Sequence, residues 1–147
     1  MNNRSRFAFV VLSVMSLVSP VLADTAENKR IVVEFYTQAF IKKDLAVARQ
    51  YLGEQYVQHN PAVKDGPAEF LKFASGLHAT YPALDSRIMR VVAEGDMVVL
   101  HVYSKRKPDE KGTAIVDFFR VSNGKVVEHW DVKQAVPETL ADPTFMF

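Results

Sequence analysis

The sequence predicts an α+β domain, because its hydrophobic period changes once along the chain. Up to about residue 82, apolar residues recur every three or four positions between helix caps and breakers. From residue 84, four runs rich in valine, isoleucine and aromatic residues follow, parted by polar turns. Strands joined without helices pair antiparallel, so three helices are expected on one face of a four-stranded sheet.

Each element has its own signal. Ile31, Phe35 and Ala39 recur at fourfold spacing beside Val32 and Tyr36, and Asp24 or Thr25 can cap this first helix. Asp44 is a good N-cap for a shorter helix whose Leu45, Ala48 and Leu52 share a face until Gly53 ends it. Residues 55–59 read as a short extended piece stopped by Asn60-Pro61. The third helix has Asp65 as cap, Pro67 in its first turn and Glu69 near the positive end of its dipole. Its buried stripe is Phe70, Phe73 or Ala74, and Leu77, and Tyr81-Pro82 closes it. The strands are residues 84–93, 97–104, 113–121 and 125–134. Glu94-Gly95-Asp96 and Ser122-Asn123-Gly124 are hairpin turns, and residues 105–112 form a longer polar loop with Lys105, Arg106 and Lys107 at a solvated tip. The tail from Pro137 is either loosely ordered or laid over a hydrophobic groove.

Ahead of these elements, Arg4 and Arg6 precede an apolar run over residues 7–18, and Val21-Leu22-Ala23 suits cleavage after Ala23. Residues 1–23 are therefore read as a secretory signal and residues 24–147 as one domain in the periplasm or outside the cell. The leader holds two arginines and no acid, so its removal takes the net charge from +1 to −1. That balance gives no electrostatic case for nucleic acid or an anionic membrane. Cysteine is absent, which excludes disulfides and thiolate chemistry.

The chemistry is expected where polar residues interrupt apolar strands. If Lys105 faces Thr113, His101 lies directly opposite Asp117, among Val99, Ile115 and Phe119. Apolar surroundings shift proton affinity, as acid–base catalysis requires; a half-buried pair that only fixes the sheet gives the same signal. A one-residue slip would separate the two. In His129-Trp130-Asp131, a two-residue Asn-Gly turn would point Trp130 to the side of Asp117. A three-residue loop ending in a bulge would bring His129 there instead. His129 and Asp131 otherwise read as a solvent-facing pair, and His78 as a surface residue. His59 and Asn60 end the extended piece, where a pocket mouth or a plain turn both fit. No histidine pair has helical metal spacing and no glycine-rich phosphate loop occurs, so neither metal nor organic cofactor is expected.

Residues 56–61 (Tyr-Val-Gln-His-Asn-Pro), 94–101 and above all 115–131 resemble the SnoaL-like polyketide cyclase family of the nuclear-transport-factor-2-like superfamily. The resemblance covers nearly all of residues 24–147. It implies a cone of curved sheet around helices, a deep apolar pocket, and pairing with a second copy through the sheet. It also implies aldol-type ring closure without a cofactor, with Asp117 as acid/base and His101 beside it. His59, Asn60, His129, Trp130 and Phe119 would then contact a small apolar ligand. An enolising enzyme acting on a carbonyl compound is the leading expectation; a binding module or a dimeric scaffold, its pocket filled by Phe145 and Phe147, is the alternative.

Overall fold

The computed structural model describes residues 25–147, so the expected leader and the Asp24 cap lie outside the described residues. Helix α1 (Thr25–Tyr36) runs on into a π-helical turn at Thr37–Ile41. Helix α2 (Leu45–Arg49), strand β1 (Leu52–Gln58) and helix α3 (Pro67–Thr80) follow, and then β2 (Asp85–Glu94), β3 (Met97–Lys105), β4 (Thr113–Ser122) and β5 (Lys125–Ala135). A 3₁₀ turn at Pro143–Met146 ends the chain. No helix among the described residues is long and apolar enough to cross a membrane.

The four expected strands form in the expected places and pair antiparallel. The sheet has a fifth member. β1 joins its edge parallel to β5, giving the order β1-β5-β4-β3-β2. It starts earlier than the sequence suggests, because α2 ends at Arg49 and both Leu52 and Gly53 are already strand residues. A side chain at Gly53 would press on Val127 Cγ1 at 3.0 Å, so the glycine permits close approach to β5 rather than stopping a helix.

Two caps divide the same way between expectation and correction. Asp44 accepts from the Val47 amide at 3.0 Å, as its type and position predict. Asp44→Ala should lower stability by about 1 kcal/mol, measurable by urea unfolding. Asp65 caps nothing. Gly66, at φ 99°, holds the N-cap position of α3, and Asp65 Oδ1 instead accepts from the Gln58 amide at 2.7 Å. The loop is thereby tied to the end of β1.

The core lies between the helices and the concave face of the sheet. Ile31, Val32 and Phe35 of α1 and Phe70 and Ala74 of α3 meet Val98, Leu100, Val102, Phe119, Val121 and Val126. Phe35 is fully buried, with ring centroids 5.3 Å from Phe70 and 5.8 Å from Phe119.

Two details decide which side chains enter the concave face. The β3–β4 loop closes on Ser104 opposite Thr113, so Leu100, not His101, faces Asp117. Gly112 makes this register possible. At φ 94° it packs so closely that a β-carbon would collide with the Tyr103 ring and lie 2.9 Å from the Ser104 carbonyl oxygen. The second detail is in the β4–β5 hairpin. Asn123 and Gly124, both at positive φ, make a two-residue turn closed by Ser122 and Lys125. Arg120 then pairs with Glu128 and Val121 with Val126, which leaves Val127 as a bulge. That one extra residue restores the other parity. His129 lies opposite Phe119 and Asp131 opposite Asp117, while Trp130 lies opposite Phe118 on the convex face.

Candidate active site

A cavity of about 370 Å³ opens between α3 and the concave face. This size suits a small organic ligand. Phe40, Phe70, Phe73, Leu77, Leu84 and Ile115 make much of its wall apolar. Asp117 and His129 sit against it, 6% and 8% exposed. Their burial follows from β4 and β5 being central strands of the sheet.

His129 Nε2 and Asp117 Oδ1 are 3.0 Å apart, and His129 Nδ1 is 2.7 Å from Gln58 Oε1. Asp131 Oδ2 accepts from Asn60 Nδ2 at 2.6 Å and pairs with Lys133 Nζ at 2.8 Å. Asn60 Oδ1 accepts from the Ala62 amide at 2.9 Å, so its amide is held from both ends. Two buried polar atoms of cavity-lining residues, Asp117 Oδ2 and the Tyr56 hydroxyl, lack a hydrogen bond of ordinary geometry, although Gln58 lies close enough to the phenol to oppose part of its shift. Buried polar atoms are ordinarily paired, so an unpaired acceptor and an unpaired donor on residues lining one cavity are a signal for a ligand.

Burial raises the Asp117 carboxyl above the ordinary carboxylate range, opposed by the hydrogen bond and charge of His129. Burial, followed by the nearby Asp117, raises the phenols of Tyr56 and Tyr36 above their ordinary value. Both therefore remain neutral donors at any physiological pH.

Asp117, His129 and Asp131 each bring a ligand-type atom within 4.8 Å of the others. Those atoms are engaged already: Asp131 by the Asn60 amide and the Lys133 ammonium, His129 by Asp117 and Gln58. A cation there would have to displace the ammonium of Lys133.

The expected site residues divide sharply. Asp117, Phe119, Asn60 and His129 line the cavity. Asp131, expected to face solvent beside His129, also lines it. His101 does not. The shifted register turns it to the convex face, where its ring stacks on Phe147 at 5.1 Å and Arg90 Nη1 approaches Nδ1 at 3.5 Å. Trp130 is also on the convex side rather than in the pocket wall. His59 stacks on it, at 4.6 Å and an interplanar angle of 1°, and bonds Glu128 Oε1 at 2.9 Å. Arg120 lies over the same indole and reaches Glu128 and Asp96, so His59, Trp130 and Arg120 form an outer cluster away from the cavity. His78 is partly buried edge-on to Phe40, and Arg106 reaches the cavity rim from the long loop. Phe147 lies on His101 and Tyr103, and Phe145 is 85% exposed, so neither fills the pocket. Tyr56, Gln58 and Tyr36 were not singled out as site residues. The only signal for them was Tyr56 and Gln58 alternating on the extended piece that ends in Asn60.

Solved structures share this architecture. A proposed ketosteroid isomerase from Kribbella flavida superposes with a TM-score of 0.67 at 18% identity, over 86% of this chain and 92% of that one. A proposed SnoaL-like polyketide cyclase from a Jannaschia species gives 0.64 at 19%, over 79% and 89%. A proposed polyketide cyclase from Acidithiobacillus ferrooxidans gives 0.62 at 15%, over 82% and 92%. At such identities the likeness speaks for the fold. No curated protein matches the sequence. The pattern that defines the SnoaL-like domain does match it, over residues 32–129. With this match over most of the described chain and a fold shared with these structures, the chain belongs to the SnoaL-like domain family.

Proposed function

We propose that this protein is an exported, cofactor-independent acid/base enzyme that enolises a small, largely apolar carbonyl compound, for isomerisation or aldol-type cyclisation. The observation that carries the reading is the complementary pair of unsatisfied buried atoms, Asp117 Oδ2 and the Tyr56 hydroxyl, on one apolar cavity. A ligand carbonyl could take the Tyr56 proton as its hydrogen bond while Asp117 Oδ2 removes a proton from the adjacent carbon. Electrons then move into the carbon–carbon bond and onto oxygen, and the same proton returns at another carbon, or the enolate attacks a second carbonyl. His129 holds the other carboxylate oxygen, and the apolar wall keeps water from the enolate.

The test is incorporation of solvent deuterium into cyclohexenone, tetralone and phenylacetone, followed by NMR. The protein should catalyse exchange at the carbon beside the carbonyl, and Tyr56→Phe should slow it about 100-fold. Binding of these ketones without exchange would turn the reading to a ligand-binding module.

The convex face supports a second part of the proposal, a homodimer through the sheet. Val92 and Val132 stand 64% and 65% exposed there, flanking the rows of Val99 and Val116. Val132→Glu combined with Val92→Glu should give a monomer by sedimentation velocity, with the helical circular-dichroism signal intact.

A further inference from the structure

The hydrogen bonds around His129 settle where its protons are. The backbone amide of Asn60 can only donate, and it lies 3.0 Å from Gln58 Oε1. Turning the Gln58 amide over would set its NH₂ against that N–H, so Oε1 is the acceptor there. His129 Nδ1 is 2.7 Å from the same oxygen and must therefore carry hydrogen. Its other nitrogen lies 3.0 Å from Asp117 Oδ1 in a buried setting. A bare Nε2 lone pair facing an ionised carboxylate would be repulsive there, so a proton lies between them.

We infer that Gln58 is a positioning residue: it locks the Nδ1–H tautomer of His129, so that one proton is shared between His129 Nε2 and Asp117 Oδ1. The pair is then either imidazolium with carboxylate or neutral imidazole with carboxylic acid. Both hold the same number of protons and differ only in where one of them sits. The inference concerns the site of the proposed reaction, but it describes the free protein. It can be tested whether or not any ketone reacts.

Its consequence for the proposed chemistry is reversibility. In the imidazolium–carboxylate form, Asp117 Oδ2 is a base whose charge is offset by His129. Once Oδ2 has taken a substrate proton, it is an acid beside the same imidazolium and returns that proton readily. Without Gln58, His129 could turn to the Nε2–H tautomer, donate to an ionised Asp117 while neutral, and leave the shared proton out. Other charged or titratable groups meet the same cavity from each side. Asp131 and Lys133 on β5 are paired with each other. Tyr56 on β1 and Tyr36 on α1 stay neutral, and Arg106 and Glu110 stand on the β3–β4 loop at the rim.

The experiment is long-range ¹H–¹⁵N correlation on protein labelled at histidine nitrogen, followed from acid to alkaline pH. In the wild type, His129 should keep Nδ1–H throughout, with a second proton on Nε2 until the shared proton leaves. In Gln58→Met, the deprotonated state gains a better tautomer and the protonated state loses an acceptor, and both effects act in one direction. The shared proton should leave about one pH unit lower or more, and a bare Nδ1 should appear. Gln58→Glu keeps the acceptor and adds charge, so it should retain Nδ1–H and move the transition upward. A wild-type His129 with bare Nδ1 and protonated Nε2 overturns the inference. So does a folded Gln58→Met with unchanged tautomer and titration. If Gln58→Met does not fold, the wild-type spectrum and Gln58→Glu decide it. A failure of ketone exchange would instead sink the proposed reaction and leave this tautomer untouched.

Discussion

Asp117→Asn should cut ketone deuterium exchange by about a thousandfold or more while leaving the melting temperature within a few degrees of wild type, or above it. The loss follows from removing the buried carboxylate of the cavity lining whose second oxygen has no hydrogen-bond partner. The stability outcome follows from the direction of the Asp117 shift. Burial holds its folded value above the unfolded one, near 4. The folded state thus binds this proton more tightly than the unfolded chain does. Its contribution to stability is present below about pH 4 and fades as the pH rises through the folded value. Asparagine removes that dependence. The advantage of the variant should grow as the pH rises through the folded value and shrink on acidification, in paired thermal melts. If Asp117→Asn instead unfolds the protein at neutral pH, the carboxylate is a structural member of the sheet and the catalytic assignment fails.

Phe35→Ala should cost roughly 3–5 kcal/mol, because a fully buried ring leaves a cavity that the surroundings only partly close. Phe35 joins α1 to both α3 and β4 through Phe70 and Phe119. Phe119 also packs on His129, with ring centroids 4.8 Å apart, so the site should feel the change. A melting temperature lower by roughly 10–20 °C is expected at this chain length, with exchange activity falling alongside it. A loss below 1 kcal/mol in urea would mean that the helices can settle onto the sheet without this ring.

The helices and four of the strands were legible because hydrophobic period and turn residues act locally. The parallel edge strand was only half legible. Its pairing partner lies far along the chain, and Gly53 reads as a helix stop until β5 is seen pressing against it. Asp117 and Asn60 were legible as site residues from polar types in apolar or extended runs, and Phe119 through the family resemblance. His101 was misplaced because facing partners were inferred from a symmetric loop, and the positive φ of Gly112 closes that loop one residue short. Which of His129 and Trp130 faces the cavity was open from the sequence, and the Val127 bulge decides it for His129. In both cases parity along a strand decided the outcome, and a single loop or bulge residue set the parity.

The pairing of β1 with β5 has a consequence for how the protein comes into being. Gln58 and Asn60 are made early, yet each meets its partner on the neighbouring strand β5, His129 or Asp131, 71 positions later. A chain emerging from a ribosome can form α1 and α3 long before this. It has no pocket until its last strand has emerged. Any nascent fragment ending before Asp131 therefore lacks the complete pocket and leaves part of the edge of β4 open to other chains, a reason for rapid completion or for a chaperone's attention. A formed pocket certifies that the chain has been delivered through β5.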